Sequence, residues 1–464
     1  MQVPSSWWQR FSRSLTPPQT ICLGFLATIL VGTVLLMLPW STAAGEWNHW
    51  LMALFTSTSA VCVTGLIVAD TGTHFSPFGQ MVLLALIQVG GLGYMTATSF
   101  LLLIVGRRLS LRDRTTMRET VGAALGSSTA LQLVSAIVGM TALFESLGAL
   151  LLAQVWVPQL GWKTGLWVSV FHSVSAFNNA GFSLFSNSMV GYQTNYITIF
   201  TLSALIVLGG IGFSIIYELY EWSRRIWLGD RSIQRENFTL NFKVAVSTSL
   251  LLLLAGTAFF LGTEWDNPET LGSLSFADRL LAALFQSVTA RTAGFNSIHQ
   301  SALESSSLFV VIILMFIGAS PGGTGGGVKT TTLGTLLACT RSALRGGDSS
   351  VLVFRRTVPE TLVNKAVGIL MGSAMLVALS TTLLSLIDGD RFAFLDLLFE
   401  AVSAYATVGL SALNTADLSP LSHLVLIPTM YCGRVGILLL VSALYREPAA
   451  SQLIKYPEET FLIG

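Results

Sequence analysis

Apolar runs of two lengths alternate along the chain. Runs long enough to cross a bilayer, which takes about 20 residues of helix, occupy 21–39, 131–157, 242–262 and 362–387. Each is followed by a shorter apolar stretch, the first being 51–61 after Trp47 and Trp50. That length suits a re-entrant half-helix better than a span. A glycine-closed loop of mostly small residues comes next, and then a second long run, at 78–105, 196–222, 308–337 and 421–445. The pattern predicts span, half-helix, loop and span, four times over.

The loops carry the repeat most clearly. They read Thr58-Ser59-Ala60-Val61-Cys62-Val63-Thr64-Gly65, Val174-Ser175-Ala176-Phe177-Asn178-Asn179-Ala180-Gly181, Val288-Thr289-Ala290-Arg291-Thr292-Ala293-Gly294 and Val402-Ser403-Ala404-Tyr405-Ala406-Thr407-Val408-Gly409. Their closing glycines lie 116, 113 and 115 residues apart in a chain of 464, which marks an internal repeat. Ten residues separate Phe55, Phe171 and Phe399 from their glycines, whereas nine separate Phe285 from Gly294; the third copy is tighter. Irregular backbone at membrane depth is tolerated only where it is buried in protein or lines a water-filled path. Four equivalent loops around one axis would form a ring of carbonyl oxygens able to replace the hydration shell of a potassium ion. Glycine suits a backbone conformation barred to other residues. Half-helices ending near Val61, Phe177, Ala290 and Tyr405 would aim their partly negative C-terminal ends at the ion. The candidate ion-lining residues are therefore Cys62, Val63, Thr64 and Gly65; Asn178, Asn179, Ala180 and Gly181; Arg291, Thr292, Ala293 and Gly294; and Ala406, Thr407, Val408 and Gly409.

Composition agrees with a bilayer. Apolar residues make up 52% of the chain and charged ones 11%, and mean hydropathy is +0.68, far above ordinary soluble usage. A net charge of +1 gives no basic excess for nucleic acid. Cys22, Cys62, Cys339 and Cys432 lack metal or redox spacing and read as apolar-site thiols. The run at 21–39 exceeds a signal-peptide core of about 7 to 15 residues, so it reads as a retained first helix despite the small residues Thr42-Ala43-Ala44. Most Lys and Arg fall in the tails and in the connectors after Val105, Trp222 and Leu337, including Arg107, Arg108, Arg112, Arg114 and Arg118; the opposite loops hold only Lys163, Arg279 and Arg391. The positive-inside rule then makes both termini cytoplasmic. Acids of the opposite side, such as Glu46, Asp70, Glu264, Asp278 and Asp417, either focus cations at a pore mouth or form a solvated face.

Two features interrupt the pattern. The second span of the third repeat contains Gly318-Ala319-Ser320-Pro321-Gly322-Gly323-Thr324-Gly325-Gly326-Gly327-Val328-Lys329-Thr330, and no continuous helix survives a proline and six glycines in ten residues. A phosphate-binding loop is excluded because Val328 separates Gly327 from Lys329 and a membrane span precedes it. Arg434 lies inside the last span, where an arginine costs about 2.5 to 3.5 kcal/mol on insertion scales. It must face the protein interior or the pore, and an ion pair with Glu145 is one way to satisfy it. Arg291 and Glu400 read as braces behind the loops. Glycines recurring in the second spans, Gly90-Gly91-Leu92-Gly93, Gly209-Gly210-Ile211-Gly212, Gly318 onward, and Gly433 with Gly436, suggest close helix packing.

With one glycine in each of four loops, the chain resembles the Trk/Ktr/HKT superfamily of potassium transporters over essentially its whole length, and most of all the KtrB-like membrane subunits of sodium-dependent Ktr systems. The resemblance implies an all-α membrane protein of four pseudo-fourfold repeats, with eight transmembrane helices and four pore helices. Its parts would be a cytoplasmic tail at 1–19, repeats at 20–118, 119–240, 241–345 and 346–450, and a C-terminal tail at 451–464. It implies potassium uptake through a channel-like pore, with glycine at Gly65 going with potassium selectivity and sodium acting as activator or coupled ion. Gly318, Pro321, Gly322, Gly323, Thr324, Gly325, Gly326, Gly327, Lys329 and Thr330 would form an intramembrane gate, with Arg434 an electrostatic barrier beneath the filter. Implied partners are a second copy of the chain, a cytoplasmic nucleotide-binding regulatory subunit of the RCK type, and membrane lipid; no organic cofactor is implied. A sodium-selective or mixed transporter of the same superfamily is the runner-up. An alternating-access transporter would show inverted repeats, and no nucleophile, base and orienter set points to an enzyme.

Overall fold

A computed structural model describes residues 16–93, 130–229, 238–345 and 351–444. Among the described residues, four helices are long and apolar enough to cross a membrane: α1 (Pro17–Met37), α4 (Ala130–Leu160), α8 (Leu240–Thr263) and α12 (Glu360–Asp388). Leu30, Val31 and Val34 on α1, Leu250, Leu251 and Leu254 on α8, and Met371, Met375 and Leu386 on α12 are exposed. Such apolar faces are stable in lipid, not in water. The basic connector carrying Arg107 to Arg118 and the tail 451–464 lie outside the described residues.

Each long helix is followed by a buried half-helix: α2 (Trp50–Cys62), α5 (Trp162–Phe177), α9 (Phe276–Thr289) and α13 (Phe394–Ala406). Phe55, Phe171, Phe285 and Phe399 are completely buried and anchor them by large apolar area. In three repeats one serine clamps the half-helix to its long neighbour. Ser57 donates to the Ile29 carbonyl at 2.8 Å, Ser173 to Glu145 at 2.6 Å and Ser287 to Leu253 at 2.9 Å. Three residues beyond each acceptor stands a glycine, Gly32, Gly148 or Gly256. A Cβ on Gly148 would lie 2.5 Å from the Ser173 hydroxyl oxygen, so the helices meet where a side chain is missing. The fourth repeat has Ala401 at this position and joins Tyr405 to Ser373 instead.

In the first, second and fourth repeats the second run starts as a side-chain-capped helix, and in the second, third and fourth it then breaks. Ser76, Asn195 and Ser419 side chains accept from the backbone N–H of Gly79, Thr198 and Ser422, opening α3 (Pro77–Gly91), α6 (Tyr196–Ile211) and α14 (Pro420–Val435) by ordinary N-capping. The expectation of continuous spans is corrected here. After Gly212, at φ 102°, α7 (Phe213–Trp227) turns by 101° from α6; after Gly436, at φ 87°, α15 (Ile437–Leu444) turns by 94° from α14. Glycine tolerates these left-handed angles at no steric cost. In the third repeat α10 (Ser305–Phe316) and α11 (Thr330–Leu344) are separated by thirteen residues of irregular backbone, as the glycines there require. The first repeat's second run is described only to Gly93.

One strand pair departs from an all-helical reading. β1 (Leu352–Val353) and β2 (Arg356–Thr357) pair antiparallel, Val353 opposite Arg356, around Phe354 and Arg355 at φ 48° and 62°, the signature of a two-residue hairpin turn.

Most of the expected packing glycines do pack, although a Cβ on Gly93 or Gly436 would meet nothing within 4 Å. A Cβ on Gly209 would lie 2.9 Å from the Phe177 carbonyl carbon, and Gly90 and Gly433 sit as closely against Val61 and Tyr405. These second-run helices are thereby pressed against the C-terminal ends of the half-helices.

Candidate functional site

All four half-helices end in the same way. Val63, Asn179, Thr292 and Thr407 take left-handed backbone angles of φ 57°, 57°, 71° and 53°, which closes each helix and turns the chain back. A hydroxyl in the last turn then fixes the loop. Ser59 accepts from Gly65 N–H at 3.0 Å and Ser403 from Gly409 N–H at 3.1 Å. Ser175 donates to the Phe182 carbonyl and Thr289 to the Phe295 carbonyl, each at 2.8 Å. Every hydroxyl stands four residues after the buried phenylalanine, so the half-helices share one register. The missing residue of the third copy falls between Thr289 and Gly294, in the loop itself.

The closing glycines meet in cyclic order. A Cβ on Gly65 would lie 2.5 Å from the Ala180 carbonyl oxygen and 3.1 Å from Gly181 Cα. One on Gly181 would lie 2.9 Å from the Ala293 oxygen and 3.0 Å from Gly294 Cα. One on Gly294 would press on the Val408 oxygen, 3.3 Å from Gly409 Cα, and one on Gly409 on the Thr64 oxygen, 2.9 Å from Gly65 Cα. The carbonyl groups of Thr64, Ala180, Ala293 and Val408 thus stand side by side around one closed contact. All four glycines have positive φ, from 70° to 90°, so any other residue would be strained as well as crowded.

The remaining loop residues are placed differently. Cys62, Val63, Asn178, Asn179, Thr292, Ala406 and Thr407 are buried at the helix ends behind the glycines. The Arg291 guanidinium leaves the ring and donates to the Ser249 carbonyl and hydroxyl on α8, both at 3.1 Å. Glu400 accepts from Ser411 at 2.7 Å and Thr415 at 2.6 Å. Both side chains brace loops from behind, so Arg291 does not line the ring with its side chain.

The irregular segment between α10 and α11 lies against the half-helix ends. Thr324 N–H donates to Gly209 at 3.0 Å, and its hydroxyl to the Phe177 carbonyl at 3.2 Å. Gly326 N–H donates to the Thr407 hydroxyl at 3.1 Å. Gly318 N–H reaches Val328 at 2.9 Å, Ser320 N–H reaches Gly210 at 3.0 Å, and Phe213 N–H reaches Gly322 at 3.2 Å. The hydroxyls of Ser320 and Thr330 lie 2.8 Å apart, and Lys329 Nζ donates to the Gly325 carbonyl at 2.6 Å. Arg434 completes the arrangement, donating to the carbonyls of Thr324 in this segment and Gly90 at the end of α3. Glu145 instead accepts from Gln88 at 3.2 Å and Asn178 at 2.8 Å, so the ion pair with Arg434 does not form. A cavity of 840 Å³, lined by Pro321, Gly325, Lys329, Arg434, Asn241 and Lys365 among others, opens beside the segment.

Buried carbonyls gathered around one contact among apolar helices, beside irregular backbone tied to an arginine, suit the passage of a cation. Residues 6–451 match the family model described as "TrkH: Cation transport protein". The chain belongs to the TrkH family. It is therefore a membrane protein that transports cations, not an enzyme. TrkH-family relatives resemble it over nearly their full length. Ktr system potassium uptake protein B of Vibrio alginolyticus is 41% identical over 451 residues, covering 96% of this chain and 95% of that protein. Ktr system potassium uptake protein B of Bacillus subtilis is 37% identical, covering 98% of each. Potassium/sodium uptake protein NtpJ of Enterococcus hirae is 37% identical, covering 98% and 99%. The crystal structure of the potassium transporter TrkH from Vibrio parahaemolyticus shares the fold, with a TM-score of 0.68 at 20% identity over 91% of this chain and 85% of that one.

Several contributors in this TrkH-family chain escaped the sequence reading. The hydroxyls of Ser59, Ser175, Thr289 and Ser403 were visible as Ser or Thr four residues after each phenylalanine. Gln88, which links Asn178 to Glu145, carries no repeat signal and needed the fold to be seen.

Proposed function

We propose that the chain takes up potassium across the plasma membrane through a channel-like pore formed by four pseudo-fourfold repeats, at 20–118, 119–240, 241–345 and 346–450, between cytoplasmic tails. The observation that carries this reading is the closed cyclic contact of Gly65, Gly181, Gly294 and Gly409, each crowded by the carbonyl group preceding the next. Carbonyl oxygens held in a ring replace hydration oxygens at little cost to a weakly hydrated cation, and loose multi-site binding lets the ion leave. The filter is then Cys62 to Gly65, Asn178 to Gly181, Arg291 to Gly294 and Ala406 to Gly409, with potassium at the backbone carbonyls. The names of the two Ktr system relatives support potassium as the ion, and that of NtpJ supports a part for sodium.

The segment from Gly318 to Thr330, with Arg434, is the gate of this pore. Its bonds run to two half-helix ends, at Phe177 and Thr407, and it is irregular backbone that can rearrange without unwinding a helix. A cytoplasmic RCK-type subunit acting on the basic connectors, and pairing of two chains, fit the family resemblance and the charge distribution. Uptake by a potassium-uptake-deficient cell, with and without sodium, tests the reading. Wild-type chain restores growth on low potassium, and Gly65→Ser, whose side chain would enter the space of the Ala180 oxygen, admits sodium. Unaltered potassium preference in Gly65→Ser refutes the filter assignment.

A further inference from the structure

The residue that follows each half-helix phenylalanine has a common task in three repeats. His172 Nδ1 faces the Val168 carbonyl at 2.8 Å, which makes it the protonated nitrogen; Nε2 then accepts from Leu184 N–H at 3.3 Å and meets the Ser183 hydroxyl at 2.9 Å. Gln286 and Gln300 exchange two side-chain bonds at 2.7 and 3.1 Å. Glu400 holds Ser411 and Thr415. The partners are the second, third or sixth residues after the closing glycine, so each tie runs from the half-helix to the limb that leaves the ring. His172, Gln286, Gln300 and Glu400 are all buried.

The first repeat differs. Its residue after Phe55 is Thr56, and the sixth residue after Gly65 is Thr71, the counterpart of Gln300 and Thr415. Both are 1% exposed, and neither hydroxyl has a hydrogen-bond partner. A threonine ends two bonds short of a glutamine and cannot span the same gap. The hydroxyl of Thr64, just before Gly65, also has no partner.

We propose that His172, Gln286 and Glu400 are positioning residues that stiffen three quarters of the ring, and that the first loop, untied at Thr56, is its compliant quarter. Discrimination between potassium and sodium then depends on the three ties and not on Thr56, an inference that rests on the potassium-pore reading. The effect expected from losing one tie is about fivefold, the size of one net side-chain hydrogen bond.

The test compares potassium and sodium uptake by purified full-length chain in liposomes. Glu400→Leu, and Gln286→Leu combined with Gln300→Leu, lower the potassium-to-sodium ratio by about fivefold. Glu400→Gln, which still reaches both hydroxyls, keeps the wild-type ratio, and so does Thr56→Val. The proposal is overturned if the leucine variants transport with the wild-type ratio, if Glu400→Gln behaves like Glu400→Leu, or if Thr56→Val lowers the ratio as they do. Hydrogen exchange on wild-type chain decides the matter should the leucine variants fail to fold. Amides at 66–71 exchange faster than those at 295–300 and 410–415, and equal protection overturns the compliant first loop. A wild-type chain that moves no potassium removes the pore reading, while the exchange comparison still judges the ties.

Discussion

Replacing Arg434 by glutamine opens the pathway more than it harms the fold. The guanidinium makes two charge-assisted bonds, to Thr324 in the irregular segment and to Gly90 on α3, each worth about 1.5 to 3 kcal/mol. Against their loss stands relief of the cost of an arginine inside the membrane, about 2.5 to 3.5 kcal/mol. Relief thus offsets about half or more of the loss for the folded protein as a whole, leaving a net cost of at most about 3.5 kcal/mol. No such offset acts on the segment, which loses its bond to Arg434 whatever happens elsewhere. It keeps the ties of Thr324 to Gly209 and Phe177 and of Gly326 to Thr407. A shift of about 1.5 to 3 kcal/mol in its equilibrium multiplies the open fraction by about tenfold to a hundredfold. Potassium flux into liposomes containing only this chain reads that directly, with size-exclusion behaviour as the check on folding. Flux equal to wild type from a folded Arg434→Gln protein would refute the gate and leave Arg434 a structural residue.

Three further substitutions follow from the geometry. Gly209→Ala places a Cβ 2.9 Å from the Phe177 carbonyl carbon, an overpacking worth about 1 to 3 kcal/mol; Gly210→Ala meets the flexible Asn179 amide, 3.1 Å away, and Ala319 Cβ at an ordinary contact distance of 3.9 Å. Thermal melting of the detergent-purified protein should fall clearly for the first and little for the second, and the reverse order would contradict the packing. Asp70 is partly buried, which opposes ionisation, but hydrogen bonds from Ser186, Thr73 and Gly72 more than offset this and hold its carboxyl below the usual carboxylate range. A depressed folded-state pKa means the carboxylate stabilises above its unfolded value and loses that contribution as pH falls through the folded one. Asp70→Asn should therefore lower the melting temperature at neutral pH and flatten its decline in acid; parallel acid limbs for the two proteins would refute the assignment.

How much of this was legible in the sequence depended on whether a feature repeats. The half-helices and closing glycines recur at nearly constant spacing, and residues such as Gly65 and Gly409 stand where that spacing pointed. The interruption from Gly318 to Gly327 was equally plain, because six glycines and a proline permit no helix. The breaks at Gly212 and Gly436 were not, since a glycine in an apolar run serves close packing as readily as a sharp bend; Gly209 does the one and Gly212 the other, three residues apart. The destination of Arg434 was also beyond the sequence. A buried arginine needs acceptors, and Glu145 was the evident acid, but two backbone carbonyls supply them instead, one in the irregular segment and one near the end of α3. Backbone carbonyls are acceptors that no residue code displays.

The central claim is that the four carbonyl groups before the glycines hold the transported ion. Rubidium is a heavy stand-in for potassium, and crystals of this protein grown in rubidium can be measured at its absorption edge. The pore reading predicts an anomalous peak within the ring formed by Thr64, Ala180, Ala293 and Val408, abolished when sodium alone replaces rubidium. Rubidium bound elsewhere in the protein, with no peak in that ring, would contradict it.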